Sequence, residues 1–202
     1  MAAPKTWVAG ETITATDLNT VSGVAGMGGM VLVTPTSVAG TGVSLSGSVV
    51  NFSGSSTISV NGCFSSTYDN YRIMWNGLGS SAGLLLMRMR SAGTDRTAAD
   101  YAWWRNWYGS PGTGNGGVYG DTSMTVASVD VAYNGMSLDL FAPYLARYTT
   151  YTAQATQQGA SYIYGITLAG NSTAASSFDG FSLVASAGTM TGSLQIYGYR
   201  KS

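Results

Sequence analysis

Asn70-Tyr71-Arg72-Ile73-Met74-Trp75-Asn76 and Leu84-Leu85-Leu86-Met87-Arg88-Met89-Arg90 are the two stretches that decide how this chain folds. In the first, Tyr71, Ile73 and Trp75 fall on one side of an extended strand, with Arg72, Met74 and Asn76 on the other. In the second, Leu85, Met87 and Met89 oppose Leu84, Leu86, Arg88 and Arg90. Successive side chains of a strand point to opposite faces, so this period of two predicts one face turned to a core and one turned away. Ile58 and Val60 alternate with Thr57, Ser59 and Asn61 in the same way, as do Leu194 and Ile196 with Gln195 and Tyr197.

Working outward from these stretches, strands are expected near 30–35, 43–51, 56–61, 70–76, 83–91, 99–107, 122–127, 136–141, 145–153, 161–168, 180–186 and 190–199. No convincing helical pattern separates them, which argues against βαβ units. The expected fold is all-β, an antiparallel β-sandwich of jelly-roll-like type, because two sheets can bury their alternating faces against each other. Asn-Gly at 61–62, 76–77 and 134–135, and Asp-Gly at 179–180, tolerate positive φ and predict tight hairpin turns. Tyr108–Gly120, with Pro111 and six glycines, reads as a loop inside one domain. The Ser/Thr/Gly-rich 36–57 is compatible with stacked strands and reads better as short sheet edges. No repeat of fixed period is evident, so a long repetitive shaft is not supported.

Composition narrows the chemistry. The chain has 202 residues, 45% hydrophobic, which argues against intrinsic disorder. It has no His, so His-based triads, proton shuttles and most zinc or copper sites are excluded. Its one Cys, Cys63, cannot form an internal disulfide and reads as a small buried hydrophobe. Both lysines, Lys5 and Lys201, sit near the ends of the sequence. Nine cations balance nine acids with no basic stripe, so no nucleic-acid surface is expected. No apolar run approaches the roughly 20 residues of a spanning helix, and no membrane partner or export signal is expected. Low charge and an unpaired Cys fit synthesis in a reducing cytosol.

Residues 1–29 read as an arm and hinge separate from a sandwich over 30–202. Thr14 as N-cap with Asp17 three positions on can open one short helix, which Gly23, Gly26, Gly28 and Gly29 then end. Trp7 is a sticky anchor in an otherwise extended start. The segment has too little apolar area to fold alone, so it reads either as a frayed terminus or as an arm ordered by a partner.

Three constellations could carry chemistry. Asp95 with Asp100, or Asp121, Asp130 and Asp139, could supply paired carboxylates for glycoside hydrolysis, but their Gly, Ser and Thr neighbours suit turn-capping better. They lack the dense spacing of a calcium loop, and no metal or cofactor is expected. Arg88 and Arg90 share a strand face and could pair with Asp95, Asp100 or Asp69. The most unusual block is Tyr101-Ala102-Trp103-Trp104-Arg105-Asn106-Trp107-Tyr108. In a strand, Tyr101, Trp103, Arg105 and Trp107 share one face, and Trp104, Asn106 and Tyr108 the other. These aromatics and Arg105 are the candidate contact residues, either as core plus subunit interface or as a platform for a glycan. Gly, Ser and Thr make up more than a third of the chain. Such uncharged surfaces approach each other closely without repulsion, which suits packing between identical subunits.

Trp7, Gly10-Glu11 and Thr14-Ala15-x-Asp17-Leu18-Asn19 resemble the opening of tail-fibre and minor tail proteins of tailed bacteriophages. Tyr68-Asp69-Asn70-Tyr71-Arg72-Ile73, Leu86-x-Arg88-x-Arg90, Gly93-Thr94-Asp95, Tyr101 and Ile196-Tyr197-Gly198-Tyr199-Arg200 are similar to a β-sandwich module of phage virion proteins. The resemblance implies a non-enzymatic virion protein, with Trp7, Asp17, Leu18 and Asn19 anchoring it to other virion proteins. It implies self-association, expected as a homotrimer, and display toward the host surface and its glycans. Typical fibres are longer and carry a shaft, so a head fibre or capsid-decoration subunit is the rival expectation, and a monomeric carbohydrate-binding module the next. The family supplies no catalytic residues.

Overall fold

The structure, a computed structural model, describes residues 29–110 and 112–201. The expected helix near residue 14 and the anchoring residues Trp7, Asp17, Leu18 and Asn19 lie outside them. Among the described residues there is no helix, and sixteen strands follow in chain order. They begin with β1 (Met30–Val33), β2 (Ser37–Ala39), β3 (Val43–Ser46), β4 (Val49–Ser55), β5 (Thr57–Asn61) and β6 (Asn70–Gly79). Next come β7 (Gly83–Ser91), β8 (Thr94–Asp95), β9 (Tyr101–Gly109), β10 (Gly112–Asp121) and β11 (Met124–Val129). The last are β12 (Asn134–Phe141), β13 (Thr149–Gln158), β14 (Ile163–Ser172), β15 (Gly180–Ala185) and β16 (Met190–Tyr199).

All pairings are antiparallel. The larger sheet runs β10-β9-β14-β13-β12-β6-β16-β4-β3, with β1 on the same edge of β16 as β4; the smaller runs β11-β7-β15-β5-β2, with β8 on β7. The quartets β4-β16-β6-β12 and β5-β15-β7-β11 make the sandwich jelly-roll-like, because the chain alternates between them in the order of two Greek keys. Two hairpins are inserted into that plan, β9–β10 between β7 and β11, and β13–β14 between β12 and β15. Both join the larger sheet beyond β12 and widen it by four strands.

The alternation read from the sequence sets the layers. Tyr71, Ile73 and Trp75 on β6 are buried, as are Leu85, Met87 and Met89 on β7, Ile58 and Val60 on β5, and Leu194 and Ile196 on β16. They meet in one core, where Trp75 stacks on Phe52 at 6.2 Å between ring centres. Cys63 is buried in the same core, and burial raises its thiol pKa well above the ordinary value. The short strands within 36–57 are sheet ends, with β3 closing the larger sheet and β2 the smaller.

Three expectations about punctuation fail. The stretch read as one strand over 43–51 is the hairpin of β3 and β4, turned at Gly47 with φ of 59°. Of the four Asn-Gly and Asp-Gly pairs, only Gly62 takes a positive φ. Asn76-Gly77 lies inside β6, paired in regular register with Ser193 and Gly192 of β16, where a Cβ on Gly77 would stand 2.6 Å from the Thr191 carbonyl oxygen. That glycine answers to close packing and not to a turn. A two-residue turn falls instead at Ala92-Gly93, with φ of 48° and 78°, between β7 and β8.

The third failure concerns Tyr108–Gly120, expected as a loop. Most of it is β10, paired along its length with β9. Glycine is depleted from strands because it leaves nothing to pack, but here the neighbours need the room. A Cβ on Gly114 would stand 2.4 Å from the Trp107 ring, and one on Gly117 2.4 Å from the Trp104 ring. The tryptophans of β9 lie across the bare backbone of β10 and supply its side-chain cover.

Candidate functional site

The inserted β9–β10 hairpin carries the aromatic block, and its alternation separates the candidate residues. Tyr101 is fully buried, so it is a core residue and not a contact residue. Its hydroxyl accepts the Met89 N–H at 3.0 Å and donates to the Arg96 carbonyl at 3.1 Å, tying β9 to the smaller sheet. Burial pushes its pKa up to about 12. Trp103 is half-buried and donates its Nε1–H to Asp121 at 2.9 Å. Arg105 is half-buried, lies over the Trp107 ring at 4.7 Å and donates to the Ser128 hydroxyl at 3.3 Å; burial lowers its pKa. Trp107 packs against the core. Only Trp104 and Tyr108 of the six remain on the outer face, at 52% and 57% exposure.

The two exposed rings are seated in similar ways. Trp104 crosses Gly117, and Tyr108 lies over Gly165 of β14, where a Cβ would come within 2.7 Å of the ring. Across the sheet, Trp104 is flanked by Gly117 and Ala169. The neighbouring row on this face runs Tyr119, Ala102, Asn171, Thr150. Tyr119 is the most exposed large hydrophobic side chain among the described residues, at 85%. Between the two rows lies an open depression of about 600 Å³, with no charged residue in its lining. Trp104 and Tyr119 stand at one end and Thr150 and Asn171 at the other, over a floor of Ala102, Ala169 and Gly170. The sequence reading missed Tyr119 because its stretch looked like a loop. Asn171 and Thr150 lie too far along the chain for any local pattern to bring them here.

Beyond this cleft the outer face of the larger sheet is a carpet of small and polar side chains. One row crosses it as Asn115, Asn106, Thr167, Gln154, Ser137 and Met74, and the next as Thr113, Tyr108, Gly165, Thr156, Gly135 and Asn76. Its charged strand residues are Arg72 and Asp139, which close on each other at 2.8 and 2.6 Å, with the Tyr199 hydroxyl donating to Asp139 at 2.5 Å. Asp139 is held below the ordinary carboxylate value, first by the hydrogen bonds from Arg72. Tyr199 is raised to about 12, first by burial and then by Asp139.

These shifts give the pH dependence its sign. A lowered carboxyl contributes stability that is present above its unfolded pKa and lost as pH falls through the folded one; a raised phenol contributes below 10.0 and loses it as pH climbs toward 12. The melting temperature is therefore expected to be flat near neutrality and to drop below about pH 4 and above about pH 10. Asp139→Asn is expected to shallow the acid limb. A wild-type melting temperature unchanged down to about pH 2 would contradict this assignment.

The other acids are engaged one by one. Asp95 takes Arg90 and the Ser182 hydroxyl, Asp100 takes Arg96, Asp121 takes Trp103, and Asp130 takes Tyr162 and the Val131 N–H. No two of these carboxylates share a donor in these contacts. Among the described residues, no group of three or more His, Cys, Asp or Glu is placed to hold a metal ion. The expected pairing of the strand arginines holds for Arg90 alone; Asp69 meets Lys201 at 2.9 Å, and the Arg88 Nε is buried without a hydrogen-bond partner.

The motifs around Arg72, Arg90, Tyr101 and Tyr199 act as fasteners in this fold. Arg72 and Tyr199 converge on Asp139, Arg90 clasps Asp95 across the Ala92-Gly93 turn, and Tyr101 ties β7 to β9. Comparison with protein-family models, with curated proteins and with solved structures gives no match.

Proposed function

We propose that this chain is a non-enzymatic structural subunit of a tailed-bacteriophage virion, a short tail fibre or minor tail protein. In this reading residues 1–29 dock on other virion proteins, and the sandwich associates with copies of itself as a homotrimer displayed toward the host surface. The observation that carries it is the outer face of the larger sheet. That face is wide, poor in charge and rich in Ser, Thr, Asn, Gln and Gly, and its single ion pair is already closed. Charged residues are depleted from the cores of protein interfaces, since burying an unpaired charge is costly. The motif resemblance supports the same reading. The Ser/Thr/Gly-rich 36–57 forms short strands of the two sandwich sheets and not a shaft, which favours a head-fibre or capsid-decoration subunit as the second reading.

Deleting residues 2–27 tests the division of labour. The shortened chain is expected to keep the melting temperature of the sandwich to within a few degrees and to disappear from purified particles. Incorporation at the full-length level would show that particle docking does not use the arm.

A further inference from the structure

We infer that the cleft between Trp104 and Tyr119 binds an uncharged glycan, with one sugar ring stacked on Trp104. This rests on the reading of the sandwich as a displayed module and names what it would display toward. The ring of Trp104 is pinned against the Gly117 backbone, which fixes its orientation before any ligand arrives, and about half of the side chain remains open to solvent. An exposed indole held in this way is a preformed platform for the apolar C–H face of a pyranose. Tyr119 stands diagonally across the same strand pair, a spacing of roughly 7–8 Å that leaves room between the rings. The small residues Ala102 and Ala169 keep the floor low.

The polar end supplies the rest of the chemistry. Thr150 and Asn171 border the cleft with a hydroxyl and an amide, groups suited to sugar hydroxyls. The Asn171 amide borders the cleft in the row beside Trp104, across the sheet from Ala102 and Thr150. The lining has no charged side chain to offset a carboxylate, sulfate or phosphate, so the site selects against charged sugars. Pockets of this type, mostly apolar with a few placed polar groups, are the usual form of small-ligand sites. The cleft also lies far from β1, where the arm enters, roughly 30 Å across the sheet at about 4.8 Å per strand. One end of the sheet is thus free to meet a ligand while the other faces the particle.

The test is binding of the full chain to an array of neutral hexose and N-acetylhexosamine oligosaccharides, with uronic-acid and sialylated oligosaccharides as charged comparators. Hits are then titrated by tryptophan fluorescence. Neutral glycans alone are expected to bind. Trp104→Ala is expected to weaken the best of them by about ten-fold or more, and Tyr119→Ala by less. Ala169→Met, which raises the floor without removing a contact, is expected to block binding while the melting temperature and oligomeric state stay as in wild type. No binding to any neutral glycan, equal binding of charged ones, or full affinity in Ala169→Met would overturn the inference. Particle incorporation is measured on the same variants. Normal incorporation alongside absent glycan binding would remove this inference and leave the virion reading standing. Glycan binding by a chain that never enters particles would do the reverse.

Discussion

Trp75→Ala is expected to destabilise the sandwich by about 3–5 kcal/mol, the usual cost of deleting a buried Trp side chain. Trp75 is 2% exposed, stacks nearly parallel on Phe52, and sits on the central strand β6 between β12 and β16. The cavity cannot collapse easily, because β6 is hydrogen-bonded along both edges. For a domain of this size each kcal/mol moves the melting temperature by roughly 2–4 °C, so a drop of roughly 6–20 °C is expected in a thermal melt. Trp75→Phe keeps the stacking surface and is expected to lose less than half as much. An alanine variant melting within about 2 °C of wild type would mean that Phe52 and Trp75 do not form the centre of the core.

The second large effect concerns assembly. Met74 lies on the central strand β6 of the outer face, between Ser137 and Gln195 and four strands from Trp104, and is exposed. Met74→Glu costs the isolated sandwich little, since exposed substitutions away from special features stay within about 0.5 kcal/mol. In a homotrimer packed through this face, the same carboxylate enters every interface without a cationic partner. An uncompensated buried charge costs about 3–5 kcal/mol, enough to weaken association more than a hundred-fold. The variant is expected to elute as a folded monomer with the β-sheet circular dichroism of wild type, while Met74→Leu remains assembled. A Met74→Glu chain that stays fully associated would place the interface elsewhere.

The residues themselves show why the layers were legible and the turns were not. Alternation in 70–76 and 84–90 is a direct consequence of strand geometry, so the buried sets Tyr71, Ile73, Trp75 and Leu85, Met87, Met89 follow from sequence alone. The opposite faces of Trp103 and Trp104 follow for the same reason. Gly77, Gly114 and Gly117 misled because glycine has two uses, positive φ and the absence of a Cβ, and local sequence does not say which applies. Here the second use prevails, and it depends on Thr191, Trp107 and Trp104 as neighbours. The fate of Tyr101 hinged on partners that strand pattern does not supply, the Met89 N–H and the Arg96 carbonyl. Asn171 and Thr150 joined Trp104 only through the register of β14 and β13.

The proposed contact surface between copies of this chain is the low-charge outer face over β12, β6 and β16. Size-exclusion chromatography with light scattering on the full chain at micromolar concentration tests it most directly. The expected mass is about three times the 20.9 kDa of one chain, falling to one times in Met74→Glu. A wild-type mass of 20.9 kDa across that concentration range would contradict it.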